Sequence, residues 1–190
     1  AQEILNDFSD IGLDYWVSGY GTGGTVSGVG RVLREKSPGT KIILTEPENA
    51  ALIGSEVKQD RHNDNTPASS HSSWNPHLIQ GWTPDFIPFV LQEAIDNNYF
   101  DELLPVSGDQ GIVWAKRLAR AEGIITGISG GSTFAIAMEV AKKAPPDCNI
   151  LCMLPDTGER YLSSPLFEDI PEDMTEEEKE ISTSTPNYQL

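Results

Sequence analysis

The sequence predicts an α/β protein with an open, mostly parallel sheet and helices on both faces. Short β-rich runs alternate with helical runs along most of the 190 residues. Several of the β-rich runs end in glycine-rich turns that lead directly into a helix. Strands that are connected through helices lie parallel, and the helices cover the faces of the sheet. A length of 190 residues is enough for one domain with a sizeable core or for most of a larger one, and a hydrophobic content of 38% is ordinary for a globular protein.

The first half of the chain contains the clearest elements. Residues 1–8 have the character of a helix, and residues 14–19, DYWVSG, form a β-rich run that ends in glycine. Apolar residues recur at helical spacing over 26–36, and Pro38 with the glycine after it ends this helix. Residues 41–47, KIILTEP, predict a buried strand.

A long polar stretch leads to the second half of the chain. Residues 55–74 predict an exposed loop, functional or mobile, with His62 and His71 in solvent. Ser107 and Asp109 are candidate N-caps of a later helix. After the loop the pattern predicts, in order, a helix over 87–98, a strand over 102–107, a helix ending at Glu122, a strand over 124–129, a helix over 130–144 and a strand over 149–155.

Composition limits the classes of partner. A net charge of −16 opposes binding to nucleic acid, and no apolar run approaches the length of a membrane span. The acidic excess is concentrated near the end, so residues 171–190 are predicted to be a mobile appendage to one domain over 1–170. The first residues already resemble part of a helix and show no leader, so we expect a cytoplasmic or organellar protein whose fold begins before Ala1.

The most informative motif is the glycine-rich turn GTGGT, between a predicted strand and a predicted helix. Backbone N–H groups converge in such a turn, and the helix that follows adds the partial positive charge of its N-terminus. Two threonine hydroxyls add further donors. The turn is therefore suited to holding a phosphate in spite of the acidic net charge. Its residues are Gly21, Thr22, Gly23, Gly24 and Thr25.

Two other phosphate-binding patterns fit this turn less well. The Walker loop requires a Gly-Lys-Ser/Thr sequence, and the turn has no lysine. The dinucleotide pattern G-x-G-x-x-G is matched one register earlier by Gly19, Gly21 and Gly24. Glu46 lies near the distance at which that pattern has an acidic residue for the ribose. An NAD-dependent dehydrogenase is therefore an alternative, as is a turn with a purely structural role.

Two further polar turns follow predicted strands. Residues 127–132, GISGGS, join a strand to a helix, and residues 155–164, PDTGERYLSS, follow the last strand. Because the carboxyl ends of parallel strands meet at one edge of the sheet, the three turns are expected to line the edge where ligands bind.

The order of these motifs resembles that of the cysteine synthases, also called O-acetylserine sulfhydrylases. The motifs are GTGGT, SGVGR, HLIQG, DFIP, GISGG and PDTGERYLSSPLF. The resemblance runs from about Val17 to Phe167, and GTGGT with GERYLS at this separation is its most specific part. It implies a fold like that of the tryptophan synthase β subunit, of which this chain is the C-terminal portion, and pyridoxal 5'-phosphate as cofactor.

The resemblance also implies roles for individual residues. Residues 21–25 would hold the cofactor phosphate, and the hydroxyl of Thr157 would contact the pyridine nitrogen. A neutral hydroxyl leaves that nitrogen unprotonated more readily than a carboxylate does, which restricts side reactions. If the adjacent Asp156 were the partner instead, the nitrogen would be protonated and the chemistry would broaden.

The sequence departs from the family pattern in three places. The lysine that forms the family's Schiff base lies upstream of the glycine turn, but residues 1–20 contain no lysine, so the chain is expected to be catalytically incomplete. After the HLIQG stretch the family usually has small residues, whereas this chain has Trp82, Thr83 and Pro84. These bulky residues would lie beside the substrate pocket, so they affect which substrate is expected. The 55–74 loop is longer than the family pattern. No residue of this chain is predicted to be catalytic or to bind a metal.

The resemblance implies a transferase of amino-acid biosynthesis, with lyase-type elimination as part of its chemistry. It would convert O-acetylserine and sulfide to cysteine and acetate by β-replacement. A homodimer, an N-terminal segment that carries the lysine, and docking of serine acetyltransferase are implied partners. Cystathionine β-synthase-like β-replacement, favoured by the DFIP stretch, and a non-catalytic relative remain alternatives.

Overall fold

The structure, a computed structural model, describes residues 1–185 and contains one parallel sheet of four strands in the order β3-β2-β1-β4. The strands are β1 (Tyr15–Gly19), β2 (Lys41–Pro47), β3 (Glu102–Val106) and β4 (Ile150–Cys152). The helices are α1 (Gln2–Asp7), α2 (Gly24–Lys36), α3 (Phe89–Asp96), α4 (Gly108–Glu122), α5 (Ile128–Lys143) and α6 (Glu176–Thr183).

Helices pack on both faces of the sheet, which confirms the predicted fold class. Successive side chains of a strand point to opposite faces. Trp16 and Ile42 accordingly join a core with α2 and α3, whereas Val17 and Ile43 join a second core with α4 and α5. All four side chains are at most 1% exposed. The two cores hold β1 and β2 rigidly, so the loops at their carboxyl ends have a fixed base.

Glycines allow α4 and α5 to pack with their backbones in contact. A Cβ added to Gly131 would overlap the carbonyl oxygen of Gly111 and lie 2.7 Å from the backbone nitrogen of Ala115. Only a residue without a side chain fits there. This contact fixes the N-terminal turn of α5 at the carboxyl edge of the sheet.

The strand predicted over residues 124–129 is wrong. Within this stretch only Thr126 pairs with another strand-like residue, in a single antiparallel bridge to Thr157, and α5 already begins at Ile128. The side chains of Ile124 and Ile125 are 44% and 54% exposed. The apolar run therefore lacks the neighbouring strand that a buried strand needs, and the close packing of α5 on α4 favours an early helix start.

The N-terminus of α4 carries the cap that the sequence predicts. The Ser107 hydroxyl accepts from the backbone N–H of Gln110 at 3.1 Å, and the Gln110 side chain accepts from the Ser107 N–H at 3.1 Å. We expect Ser107→Ala to lower the free energy of unfolding by about 1 kcal/mol, because the cap is lost. Urea denaturation measures this change, and Ser9→Ala, at an exposed serine outside any cap, is the control.

The 55–74 loop is irregular and mostly exposed, as predicted, but the placement of His71 in solvent is wrong. His71 is only 4% exposed. Its Nε2 lies 3.0 Å from the Val57 carbonyl oxygen, and its Nδ1 accepts from the Ser73 N–H at 3.2 Å. The ring thus satisfies two backbone groups of the loop, which outweighs the cost of burying it. His62 is exposed, as predicted.

The acidic end of the chain contains α6, whose side chains are not buried. A capping box between Thr175 and Glu178 begins this helix. Residues 186–190 of the predicted appendage lie outside the described residues, and the division into 1–170 and 171–190 stays a prediction. Among the helices of residues 1–185, none has the length and apolarity that crossing a membrane requires.

Candidate functional site

A cleft of about 340 Å³ opens at the carboxyl edge of the sheet. Its walls are the end of β1 with the glycine turn, the turn at 80–82, the first turns of α5 and the segment that follows β4. The three polar turns that the sequence singles out therefore meet at one cleft. This is the edge at which open parallel sheets bind ligands.

The glycine turn forms the first wall of the cleft. Gly23 precedes α2 with φ at +89°, a left-handed conformation that favours glycine. The first N–H groups of α2 have no partner within the helix and carry its partial positive charge. Thr22 and Thr25 line the cleft beside them. The turn thus presents the donors that a bound anion requires.

The second wall is the turn at Gly81, which packs directly against the glycine turn. A Cβ added to Gly21 would lie 2.5 Å from the Gly81 carbonyl oxygen, so the two backbones are in close contact. The indole of Trp82 covers Gly19 so tightly that any side chain at Gly19 would overlap it. Trp82 is 9% exposed and belongs both to the core and to the lining of the cleft.

Hydrogen bonds to the backbone of Thr83 hold this second wall in place. The Thr83 N–H donates to the Tyr20 carbonyl oxygen at 2.9 Å. The Thr83 carbonyl oxygen accepts from Trp74 Nε1 at 3.1 Å and lies 3.2 Å from His77 Nε2. These contacts make Trp74 and His77 structural residues of the second wall.

The third wall is the segment that follows β4. The Tyr161 hydroxyl donates to Asp156 Oδ2, and the Gly127 N–H donates to Asp156 Oδ1 at 3.2 Å. Burial of the ring, together with the hydrogen bond to Asp156, raises the pKa of Tyr161 to about 12. Asp156 and Tyr161 both line the cleft, whereas Thr157 lies beside them with an exposed side chain.

The structure places the predicted site residues in two groups. Gly21, Thr22 and Thr25 line the cleft, and Gly23 and Gly24 form the start of α2 behind them. Thr157 belongs to the third wall, next to a lining residue but outside the lining itself. Tyr161 was not among the predicted site residues, although a phenol five residues after Asp156 in PDTGERY is a signal that two polar groups could meet.

The position of Glu46 excludes the alternative of a dinucleotide-binding site. Its side chain is 1% exposed. Its carboxylate accepts from the Tyr20 hydroxyl at 2.6 Å, the Ile53 N–H at 3.1 Å and the Gly54 N–H at 2.8 Å. A ribose hydroxyl therefore has no access to this acid, and Glu46 is a structural residue of the core.

No lysine or arginine lines the cleft in the part of the chain that the structure describes. Lys41 begins β2, so it lies at the opposite edge of the sheet, and Lys36 ends α2 on the far side from the glycine turn. Neither can reach a ligand in the cleft, because β2 and α2 each separate them from it by about 20 Å. Residues 1–185 also show no cluster of side chains suited to a metal ion.

Together these features define an α/β protein with a ligand cleft, rich in backbone and hydroxyl donors, at the carboxyl edge of its sheet. The sequence profile of the family described as "Pyridoxal-phosphate dependent enzyme" matches residues 1–156, so the chain belongs to that family. The predicted resemblance and fold are confirmed, and pyridoxal phosphate is the cofactor of this family.

Individual relatives agree with this assignment. The chain is 41% identical over 172 residues to O-ureido-L-serine synthase of Streptomyces lavendulae, covering 90% of this chain and 47% of that protein. It is 41% identical over 167 residues to cysteine synthase B of Campylobacter jejuni, covering 88% and 48%. A crystal structure of O-ureido-L-serine synthase superposes with a TM-score of 0.77 at 39% identity, covering 95% and 51%. The chain spans about half the length of the relatives it matches.

The cleft fits pyridoxal phosphate in size and in chemistry. Its volume of about 340 Å³ falls at the lower end of the ~300–1,000 Å³ common for small-molecule sites. At Gly24 an added Cβ would meet only the Thr22 hydroxyl, at 3.9 Å, so this position of the turn has space beside it. Side chains with hydroxyl groups line the cleft on two of its walls, those of Thr22 and Thr25 and that of Tyr161.

Proposed function

We propose that this chain supplies the phosphate- and pyridine-binding half of a β-replacement enzyme of the cysteine synthase type. The observation that carries the proposal is the meeting of the GTGGT turn and the PDTGERY segment at one cleft. The family match over residues 1–156 supports it, as does the similarity to O-ureido-L-serine synthase and cysteine synthase B. Of the finer assignments below, the phosphate site is supported by residues that line the cleft, and the role of Thr157 follows from the resemblance to cysteine synthases.

The glycine turn would hold the cofactor phosphate. Thr22 and Thr25 line the cleft, and Thr25 lies in the first turn of α2, whose first N–H groups have no partner within the helix. A phosphate dianion bound there gains charge-assisted hydrogen bonds without a cationic side chain. Such a site keeps the cofactor oriented along the cleft, toward the segment that follows β4.

The third wall would contact the cofactor ring. Thr157 lies between Asp156 and Gly158, both of which are fixed by hydrogen bonds to residues 125–127. Its hydroxyl would donate to the pyridine nitrogen. Bound pyridoxal phosphate stabilises negative charge at the α-carbon of an amino-acid substrate, which makes replacement at the β-carbon accessible.

The proposed reaction takes O-acetylserine and sulfide to cysteine and acetate. We expect the chain, combined with the N-terminal segment that carries the Schiff-base lysine and purified in the presence of pyridoxal phosphate, to release cysteine from these two substrates, with product identified by mass spectrometry. Failure to bind pyridoxal phosphate would contradict the proposal. Binding without any product would leave the non-catalytic alternative.

The similarity to O-ureido-L-serine synthase supports O-ureidoserine as a second candidate product. The chain is as similar to O-ureido-L-serine synthase as to cysteine synthase B. Trp82, which stands where the family usually has a small residue, lines the cleft beside the glycine turn. Supplying hydroxyurea in place of sulfide discriminates between the two, because attack by its oxygen gives O-ureidoserine. The larger product yield at equal nucleophile concentration identifies the preferred reaction.

The phosphate assignment gives a direct prediction for Thr25. We expect Thr25→Val to weaken pyridoxal phosphate binding about tenfold or more, because a hydrogen bond to a charged group contributes roughly 1.5–3 kcal/mol. Binding is followed by isothermal titration, with inorganic phosphate as competitor. Thr183→Val, on α6 and remote from the cleft, is the control and should bind as the wild type does. Equal affinity of the two variants would contradict the assignment.

The remaining partner assignments stay predictions. A homodimer and docking of serine acetyltransferase follow only from the resemblance. The cystathionine β-synthase-like reaction likewise rests on the DFIP stretch. The same assay tests it when homocysteine replaces sulfide.

A further inference from the structure

A second cavity, of about 510 Å³, lies between the 55–74 loop and α3. It shares no lining residue with the cleft at the carboxyl edge of the sheet. One wall is the segment from Leu52 to Arg61, and the other is formed by Ile87 and α3. The volume lies within the ~300–1,000 Å³ common for small-molecule sites. The loop that is longer than the family pattern therefore builds a cavity that the proposed function does not use.

Side chains of the loop fix this cavity against the residues just before α3. Gln59 Oε1 accepts from the Ile87 N–H at 3.0 Å, and Arg61 Nη2 donates to the Ile87 carbonyl oxygen at 2.6 Å. Arg61 Nη1 donates to the Asn65 carbonyl oxygen at 3.0 Å. Two backbone carbonyls thus hold the guanidinium in one orientation, so a ligand would not have to order it on binding.

The guanidinium of Arg61 carries a positive charge without a carboxylate partner. Arg61 and Lys58 both line the cavity, and neither forms an ion pair with any acidic residue in the part of the chain that the structure describes. The two bonds to carbonyl oxygens leave the other N–H groups of the guanidinium for a ligand. A planar donor group of this kind matches the geometry of a carboxylate.

The rest of the lining combines an apolar surface with two acidic residues. Ile53, Ile87 and Ile95 form the apolar part, and Ile87 is 4% exposed. Glu56 and Asp96 are the acidic residues that line the cavity. A ligand with one charge of each sign beside an apolar body would match all of these groups. An α-amino acid with an apolar side chain is a molecule of that kind.

We propose that this cavity binds a free α-amino acid with an apolar side chain. Its carboxylate would bind at Arg61 and Lys58, its ammonium group at Glu56 and Asp96, and its side chain against the isoleucines. The inference goes beyond the proposed function and does not depend on it, because the two sites have no residue in common.

Isothermal titration with L-leucine, L-methionine and L-phenylalanine tests the ligand class. Two analogues of leucine each lack one charge: L-leucinamide has no carboxylate, and 4-methylpentanoate has no ammonium group. We expect both to bind at least tenfold more weakly than L-leucine, because each leaves charged groups of the cavity without a partner. Absence of binding by all three amino acids at millimolar concentration, or equal binding of L-leucine and either analogue, would overturn the inference.

Variants of the two cations test the location of the site. Arg61→Gln should weaken binding of L-leucine tenfold or more, because it removes the charge and keeps an amide that can donate to Ile87. Lys58→Gln changes an exposed side chain that makes no hydrogen bond within residues 1–185, so it preserves the fold and should weaken binding severalfold. Arg31→Gln, at an exposed position of α2 outside the cavity, is the control and should bind as the wild type does.

Lys58→Gln decides the outcome if Arg61→Gln does not fold. Binding that is unchanged in Lys58→Gln, or that pyridoxal phosphate displaces, would place the amino acid in the cleft instead and would overturn the inference. Binding of pyridoxal phosphate to the wild type is measured separately, and its failure would contradict the proposed function alone.

Discussion

Gly23→Ala is expected to destabilise the protein by about 2–5 kcal/mol, the sum of two separate costs. A left-handed conformation costs a non-glycine residue roughly 1–2 kcal/mol, and Gly23 has φ at +89°. In addition, the new Cβ would lie 2.6 Å from the Cα and backbone nitrogen of Leu91. Those are atoms of α3 that cannot move aside alone, and overpacking of this kind costs typically 1–3 kcal/mol.

Urea denaturation measures this loss, and the same helix provides the control. Gly28 also lies in α2, but a Cβ there meets nothing within 4 Å. Gly28→Ala should therefore be neutral or stabilising by up to about 1 kcal/mol, because alanine favours the helix. Equal stabilities of the two variants would show that the conformation of the glycine turn does not depend on the contact with α3.

Glu46→Ala is expected to lower the free energy of unfolding by about 3–5 kcal/mol. The substitution leaves three buried donors without an acceptor, those of Tyr20, Ile53 and Gly54. Each unsatisfied buried group costs roughly 1–3 kcal/mol, with partial relief where the structure relaxes. Tyr20→Phe removes only one donor and should cost about 1–2 kcal/mol. Thermal and urea unfolding of both variants measure the difference, and a smaller loss for Glu46→Ala than for Tyr20→Phe would contradict this account.

The same carboxyl group contributes to the pH dependence of stability. Burial raises the pKa of Glu46 above its ordinary value of 4.5. The folded state therefore holds the proton at pH values where the unfolded state has released it, so this contribution to stability is full below pH 4.5 and decreases as pH rises through the folded-state pKa. The stability difference between the wild type and Glu46→Gln should accordingly shrink as the pH is raised from 4.5. A difference that grows with pH would contradict a raised pKa of Glu46 in the folded state.

Local signals in the sequence predicted much of the fold. KIILTEP has the bounds of β2, and Ser107 caps α4, because burial of a strand and capping of a helix depend on residues close in sequence. The prediction of a strand over residues 124–129 was wrong because an apolar run becomes a strand only if a neighbouring strand pairs with it. The prediction that His71 lies in solvent was wrong because its partner, the Val57 carbonyl oxygen, is 14 residues away in the sequence.

The candidate site likewise combines features that local motifs predict with features that they do not predict. The glycine turn and the PDTGERY segment are recognisable as short motifs, and the parallel sheet implies that they share an edge. The contact of Trp82 with Gly19 and the closing of the Gly81 turn on Gly21 join residues about 60 apart. Such contacts depend on tertiary packing, for which a single sequence gives no local signal.

The packing of the glycine turn has a consequence for how fast a ligand binds. Ser27 on α2 donates to the Val90 carbonyl oxygen at 2.7 Å, and the turn is held between α3 and the Gly81 turn. Its conformational entropy is therefore lost when the protein folds and is not lost again on binding. We expect association with a phosphorylated ligand to be a single step whose rate rises linearly with ligand concentration, with no slower rearrangement of the turn limiting it.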